Sequence, residues 1–198
     1  GLPEFADQIK IGNFEDDFDL LKDADWICEV IIERMDIKKD MMSRIEKFRK
    51  PDTIVSSNTS GLPITEIGED CGKDFKEHFL GTHFFNPPRY MKLLEIIPTK
   101  HTSKEIACFM HGFCERVLGK GVVLCKDTPN FIANRVGIFS IGSMMPYFFN
   151  GDFRAEEIDL LTGTLTGYSK AATFRTGDMA GLDVTLHVAN NIIPSIPD

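Results

Sequence analysis

Short β-prone runs alternate with helical periodicity through the first two-thirds of the chain, and the alternation then stops. The runs cover residues 9–11, 26–31, 53–56, 79–85, 93–97 and 121–125. They are rich in Val, Ile and Phe and are bounded by Gly, Pro, Asn or Asp. Between them, residues 37–48 set Met41, Met42, Ile45 and Phe48 on one helical face. A second helix is predicted after a capping-box pattern at Thr102 and Glu105. Ile106, Phe109, Phe113 and Val117 form its apolar face, and Gly119 its stop. Strands alternating with helices predict an α/β unit with a largely parallel sheet, over residues 1–127.

From Asp127 onward the reading is all-helical, residues 128–198. Thr128 and Pro129 look like an N-cap and a first helical residue ahead of a long apolar segment, which Pro146 kinks or ends. Shorter helical patterns cover residues 155–161 and 176–192.

Composition removes several function classes. The 198 residues carry 22 Lys+Arg against 30 Asp+Glu, a formal charge of -8, so the chain offers no electrostatic footprint for nucleic acid or anionic membranes. Its apolar runs fall far short of the roughly 20 residues that a membrane-spanning helix needs. Five cysteines with no C-x-x-C pair and no metal-ligand spacing read as a reduced, cytoplasmic protein without a metal site. Gly1-Leu2-Pro3, with no initiator Met, reads as the start of a piece of a longer protein.

Polar residues in apolar surroundings are the candidates for chemistry. His83 ends an apolar run that enters the double-proline turn Asn86-Pro87-Pro88, and the chain returns through Met91–Ile97. Two strands joined by that turn can bring His83 beside Glu95, the one carboxylate of the returning run. Such a pair either orients an imidazole for proton transfer or is a structural ion pair, and spacing alone does not choose. His78, His101, His111 and His187 read as structural or solvated. The cluster Ser56-Ser57-Asn58-Thr59-Ser60-Gly61 follows a strand, where open α/β sheets bind ligands. Asn134 sits among apolar residues and is either a buried structural amide or a substrate contact. Glu33 and Lys38 read from position as an exposed charged loop.

Four ordered strings resemble the L-3-hydroxyacyl-CoA dehydrogenase family. They are Ser57-Asn58-Thr59-Ser60, Gly81-Thr82-His83-Phe84-Phe85-Asn86-Pro87, Met91-Lys92-Leu93-Leu94-Glu95, and Lys126-Asp127-Thr128-Pro129-Asn130-Phe131-Ile132-Ala133-Asn134-Arg135. Ala171–Asp178 with Gly181-Leu182-Asp183 is similar to the bacterial long-chain subgroup, often fused to an enoyl-CoA hydratase/isomerase module. The resemblance implies a partial Rossmann-like, mostly parallel sheet followed by an all-helical domain. It implies NAD as cofactor, an acyl-CoA substrate in fatty-acid β-oxidation, and a homo-oligomer. His83 would be the base for the C3 hydroxyl proton and Glu95 its carboxylate partner. Ser60 would contact the substrate hydroxyl and the nicotinamide region, and Asn134 would help fix substrate and His83. Glu33, Lys38 and Asn86 fall at cofactor positions. The alternatives are a non-catalytic, crystallin-like relative and a 3-hydroxyacid dehydrogenase acting on free acids.

One departure is large. The family's strand–turn–helix with G-x-G-x-x-G is missing, and Gly119-Lys120-Gly121, the one G-x-G, precedes a strand and lacks the third glycine. The 198-residue chain by itself is therefore expected to lack dehydrogenase activity. Calorimetric titration should show NAD affinity weakened by orders of magnitude; micromolar binding would contradict this.

Overall fold

Apolar runs of four to six residues pair into one five-stranded sheet in the computed structural model, which describes residues 3–168 and 170–192. In chain order the elements are β1 (Trp26–Glu29), α1 (Met35–Phe48), β2 (Ile54–Ser57), α2 (Ile64–Ile67), α3 (Lys73–Glu77), β3 (Phe79–Phe84), β4 (Leu93–Pro98), α4 (Lys104–Arg116) and β5 (Gly121–Leu124). The helices α5 (Ala133–Phe149), α6 (Ala155–Leu161), α7 (Phe174–Ala180) and α8 (Leu182–Ile192) follow. Spatial order matches chain order, β1 to β5, and only the β3–β4 pair is antiparallel. Backbone contacts divide the chain into two units. One holds residues 1–59 and 64–124, the other 60–63 and 125–198. The segment 60–63 thus groups with the helical unit, which a boundary drawn at 127 does not anticipate.

Strand periodicity sorts the sheet's two faces. On one, Ile54, Leu80, Leu94 and Ile96 pack with Met110 and Cys114 of α4, flanked by Trp26, Phe84, Phe113 and Val122. The other face carries Glu29, Ser57, Gly81, His83 and Glu95. Against it lie α1, which buries Lys38, Met41, Met42 and Ile45, and α2, which buries Ile64 and Ile67. Each fully buried aliphatic side chain there contributes about 1.5–3 kcal/mol.

Several expectations change. Residues 9–11 form no strand, since Ile9 and Ile11 are strongly exposed and a β-prone triplet without a partner has no ladder to join. Helix α4 is capped by Ser103, whose hydroxyl accepts from Ile106 N at 3.2 Å. Thr102 instead donates to Phe79 O and accepts from Thr99 N, tying the loop to β3. Its buried stripe is Met110 and Cys114, while Phe109 and Val117 face solvent. Helix α5 starts at Ala133, because Asn130 and Phe131 both adopt positive φ and interrupt any helix begun at Pro129. It runs through Pro146 to Phe149. The pattern over 176–192 is two helices, broken at Gly181 with φ 94°.

All five cysteines are free, and burial pushes the Cys71 thiol up to about 12 and that of Cys114 to about 11. Among the described residues no helix is long and apolar enough to cross a membrane, and no three His, Cys, Asp or Glu side chains group to hold a metal.

Gly81 marks close packing under the sheet. A Cβ there would stand 2.8 Å from Ile64 Cδ1, 2.9 Å from its Cγ1 and 3.0 Å from Ile97 Cδ1, all in the closed core. Gly81→Ala should destabilise the protein by about 1–3 kcal/mol, the usual cost of overpacking. A urea midpoint shift at constant m-value is the check.

Candidate active site

His83 and Glu95 face each other as register partners on antiparallel strands β3 and β4. The eleven intervening residues, with their proline turn, return the chain so that both side chains fall on the same sheet face. His83 Nδ1 lies 2.7 Å from Glu95 Oε2, and both residues are almost completely buried. The ring centroid of Phe85 is 4.4 Å from that of His83. A carboxylate at one ring nitrogen fixes the imidazole's orientation and offsets the charge gained when the other nitrogen takes a proton. The arrangement is one that can serve as an oriented acid–base group or as a structural ion pair.

A second polar group lies on the same face, at the carboxyl ends of parallel β1 and β2. Lys38, in the first turns of α1, is buried rather than looped out into solvent. Its Nζ donates to Glu29 Oε1 at 2.7 Å and to Ile31 O at 3.2 Å, and stands 3.5 Å from Glu33 Oε2. Glu29 also accepts from Ile31 N at 2.6 Å and from Ser57 Oγ at 2.6 Å. Thr59 Oγ1 donates to Glu33 Oε1. The Glu33 side chain alone in this network is substantially exposed, at 33%. Position in the sequence suggests a charged surface loop; the fold makes it a buried network with one partly exposed carboxylate.

Ser60 and Asn134 belong to the helical unit, where Asn134 Nδ2 donates to Ser60 O at 2.9 Å. Asn134 is the second residue of α5. Asn86 is exposed just beyond β3, at the cis bond to Pro87. The structure therefore groups the candidates as His83 with Glu95, Glu33 with Lys38, and Ser60 with Asn134.

Two contributors were not singled out from sequence. Glu29 is the acceptor for Lys38, and its signal was present: one acidic residue inside the apolar run Trp26–Ile32. Asn58 Oδ1 accepts from Phe84 N at 2.9 Å, joining the end of β2 to the end of β3. Nothing in the Ser/Asn-rich string distinguishes Asn58 from its neighbours.

Comparison with known proteins gives a consistent picture. The family described as "3-hydroxyacyl-CoA dehydrogenase, NAD binding domain" matches residues 3–128. A probable 3-hydroxyacyl-CoA dehydrogenase of Bacillus subtilis is 53% identical over 181 residues, covering 91% of this chain and 23% of that protein. A putative fatty acid oxidation complex trifunctional enzyme of Rickettsia felis is 36% identical, with 99% of this chain and 27% of that protein covered. The crystal structure of (S)-3-hydroxybutyryl-CoA dehydrogenase PaaH1 from Ralstonia eutropha superposes with a TM-score of 0.80 at 28% identity, covering 88% of this chain and 60% of that one. The chain thus spans about a quarter of the length of the two sequence relatives.

The buried pair sets a stability expectation. Lys38→Met strands the Glu29 carboxylate without its cation and should cost about 3–5 kcal/mol. Exchanging both members, Glu29→Gln with Lys38→Met, should recover most of that loss. Denaturant unfolding of the single and double variants is the measurement, and equal midpoints would refute the pairing energy.

Proposed function

Because the chain belongs to the 3-hydroxyacyl-CoA dehydrogenase NAD-binding domain family, we propose that the gene product carrying it oxidises (S)-3-hydroxyacyl-CoA to 3-ketoacyl-CoA with NAD, in fatty-acid β-oxidation. The observation that carries this reading is the buried His83–Glu95 pair at facing register positions.

The chain's donor set suits part of the cofactor. A carboxylate and neighbouring hydroxyls at the ends of β1 and β2 match the hydroxyl-rich ribose and nicotinamide half of a dinucleotide. No glycine-rich turn joins a described strand to a helix, so the pyrophosphate cradle is not among these residues. NAD, when bound, supplies the hydride acceptor. His83 takes the C3 hydroxyl proton on Nε2 while Glu95 holds Nδ1 and balances the imidazolium charge. Ser60 contacts the substrate hydroxyl and Asn134 helps to fix the substrate. Glu33, Lys38 and Asn86 serve the cofactor side.

Residues 1–127 are read as the nucleotide-binding part and 128–198 as the helical dehydrogenase part. The small share of the trifunctional relative that the chain spans supports a gene product fused to further modules, an enoyl-CoA hydratase/isomerase among them. Exposed Val136, Phe139 and Phe149 on α5 support a homo-oligomer, and five free thiols support a cytoplasmic setting.

The test is NADH formation from (S)-3-hydroxyacyl-CoA by the gene product. His83→Ala should lower kcat by about 10²–10⁴, the range for loss of a general base. Glu95→Gln should lower kcat with the substrate KM little changed, since the carboxylate acts through the imidazole. Near-full turnover by His83→Ala removes the assignment. No turnover of any 3-hydroxyacyl-CoA would favour a crystallin-like structural relative, and a preference for substrates without CoA would favour a free-acid dehydrogenase.

A further inference from the structure

We infer that Asn130 is a positioning residue that acts through Ser60: its buried side chain ties α8 to the Ser60-Gly61 loop and so fixes where the Ser60 hydroxyl stands. The inference rests on the substrate contact proposed above for Ser60.

Asn130, Ser60, Gly61, Asn134 and Val188 all lie in the helical unit. Asn130 is 1% exposed, and its Nδ2 donates to Val188 O of α8 at 3.1 Å. That carbonyl can only accept, so it determines which end of the amide is nitrogen. The amide oxygen is thereby turned toward Gly61. A Cβ on Gly61 would stand 2.2 Å from Asn130 Oδ1 and 3.2 Å from its Cγ. Gly61 does not have a positive φ, so space rather than backbone conformation restricts this position to glycine. The Asn130 N–H donates to Gly61 O at 3.5 Å, and Asn134 Nδ2 to Ser60 O at 2.9 Å. Two successive carbonyls of the loop are thus met by two asparagines on either side of the start of α5.

Asn130 is not the residue that stability alone would place here. Its φ of 59° is one that glycine adopts freely, although asparagine tolerates it better than most side chains do. Its Oδ1 is buried with no hydrogen-bond partner among the described residues, a loss that buried amides otherwise avoid. Glycine would remove both penalties and keep the same turn. What glycine would not supply is the amide wedged between Val188 and Gly61. The turn itself has support independent of that side chain. Arg135 Nη1 donates to Pro129 O at 3.4 Å, and the Phe131 N–H to Thr128 O at 3.0 Å. Side chain and turn can therefore be tested apart.

A double-mutant cycle of Asn130→Gly with Ser60→Ala in the gene product tests this, with circular dichroism to verify folding. NADH formation is first followed on short- to long-chain (S)-3-hydroxyacyl-CoA, and the cycle is then run on the fastest substrate. In the wild-type background Asn130→Gly is expected to lower kcat/KM about tenfold, within what a small misplacement of a substrate contact removes. In the Ser60→Ala background it should change kcat/KM by less than about twofold, because the group it positions is already gone. A merely structural role would lower the melting temperature and either reduce kcat/KM by the same factor in both backgrounds or leave it unchanged in both. Each of these results overturns the inference. Should Asn130→Gly fail to fold, Gly61→Ala, which displaces the same loop from its own side, replaces it in the cycle under the same limits. Should Ser60→Ala leave no measurable rate, the cycle is read on the dissociation constant of the 3-ketoacyl-CoA product, with the same limits. Wild-type turnover matched by Ser60→Ala overturns the role of Ser60 and this inference, and leaves the proposed reaction standing. Wild-type protein that turns over no 3-hydroxyacyl-CoA overturns the functional reading and the inference with it.

Discussion

Taking a charge out of water costs several kcal/mol unless a partner meets it inside the protein. On the sheet face beneath α1 and α2, the side chains of Glu29, Lys38, His83 and Glu95 are each at most 5% exposed. Their partners exist only in one arrangement: β1 beside β2, β3 antiparallel to β4, and α1 laid so that its fourth residue reaches down to Glu29. A slip of one residue along β4 would send Glu95 to the α4 face, among Leu80, Leu94 and Met110, and leave His83 opposite an aliphatic neighbour. Register is thus specified twice, by apolar packing on one face and by charge pairing on the other.

That face also shows how stability is balanced against specificity. A sheet of this kind would be as stable with apolar side chains at positions 29 and 38, since a buried ion pair contributes little net stabilisation over a well-packed hydrophobic pair. Around the polar groups the packing is close, with Ile64 and Ile97 set against Gly81 so that a larger residue forces them to shift. The aliphatic contacts stabilise the unit, and the charged groups select which residues stand at the strand ends. Those ends are where parallel sheets take ligands.

The candidate residues are shared between the two compact units. His83, Glu95, Glu33 and Lys38 belong to the sheet unit, Ser60 and Asn134 to the helical one. Residues 60–63 leave the end of β2, group with the helical unit, and are followed by α2 back in the sheet unit. The main chain therefore passes between units immediately after the Ser57-Asn58-Thr59 string, close in sequence to the buried network. The matched residues 3–128 and the buried imidazole–carboxylate pair support the proposed dinucleotide-dependent oxidation for separate reasons.

Much of this was legible in the amino-acid order. Short Val-, Ile- and Phe-rich runs bounded by turn residues located β1 to β5 to within a few residues, because β-propensity and turn chemistry are written locally. The pairing of His83 with Glu95 also followed, since a proline turn between two apolar runs leaves few ways back. What needed tertiary structure were the features set by distant partners. Residues 9–11 had the pattern of a strand but nothing to pair with. Helix α5 began late because two consecutive residues take positive φ, which no composition rule demands of Phe131. Lys38 looked like a surface lysine because burial is a property of what packs over a side chain, and Glu29 lies nine residues away on another element. Sequence by itself determined which segments could be strands and which side chains could do chemistry, both being local properties of the chain. Tertiary structure decided which charges are hidden and which carboxylate is left facing solvent, because a long-range pairing energy exists only once the partners meet.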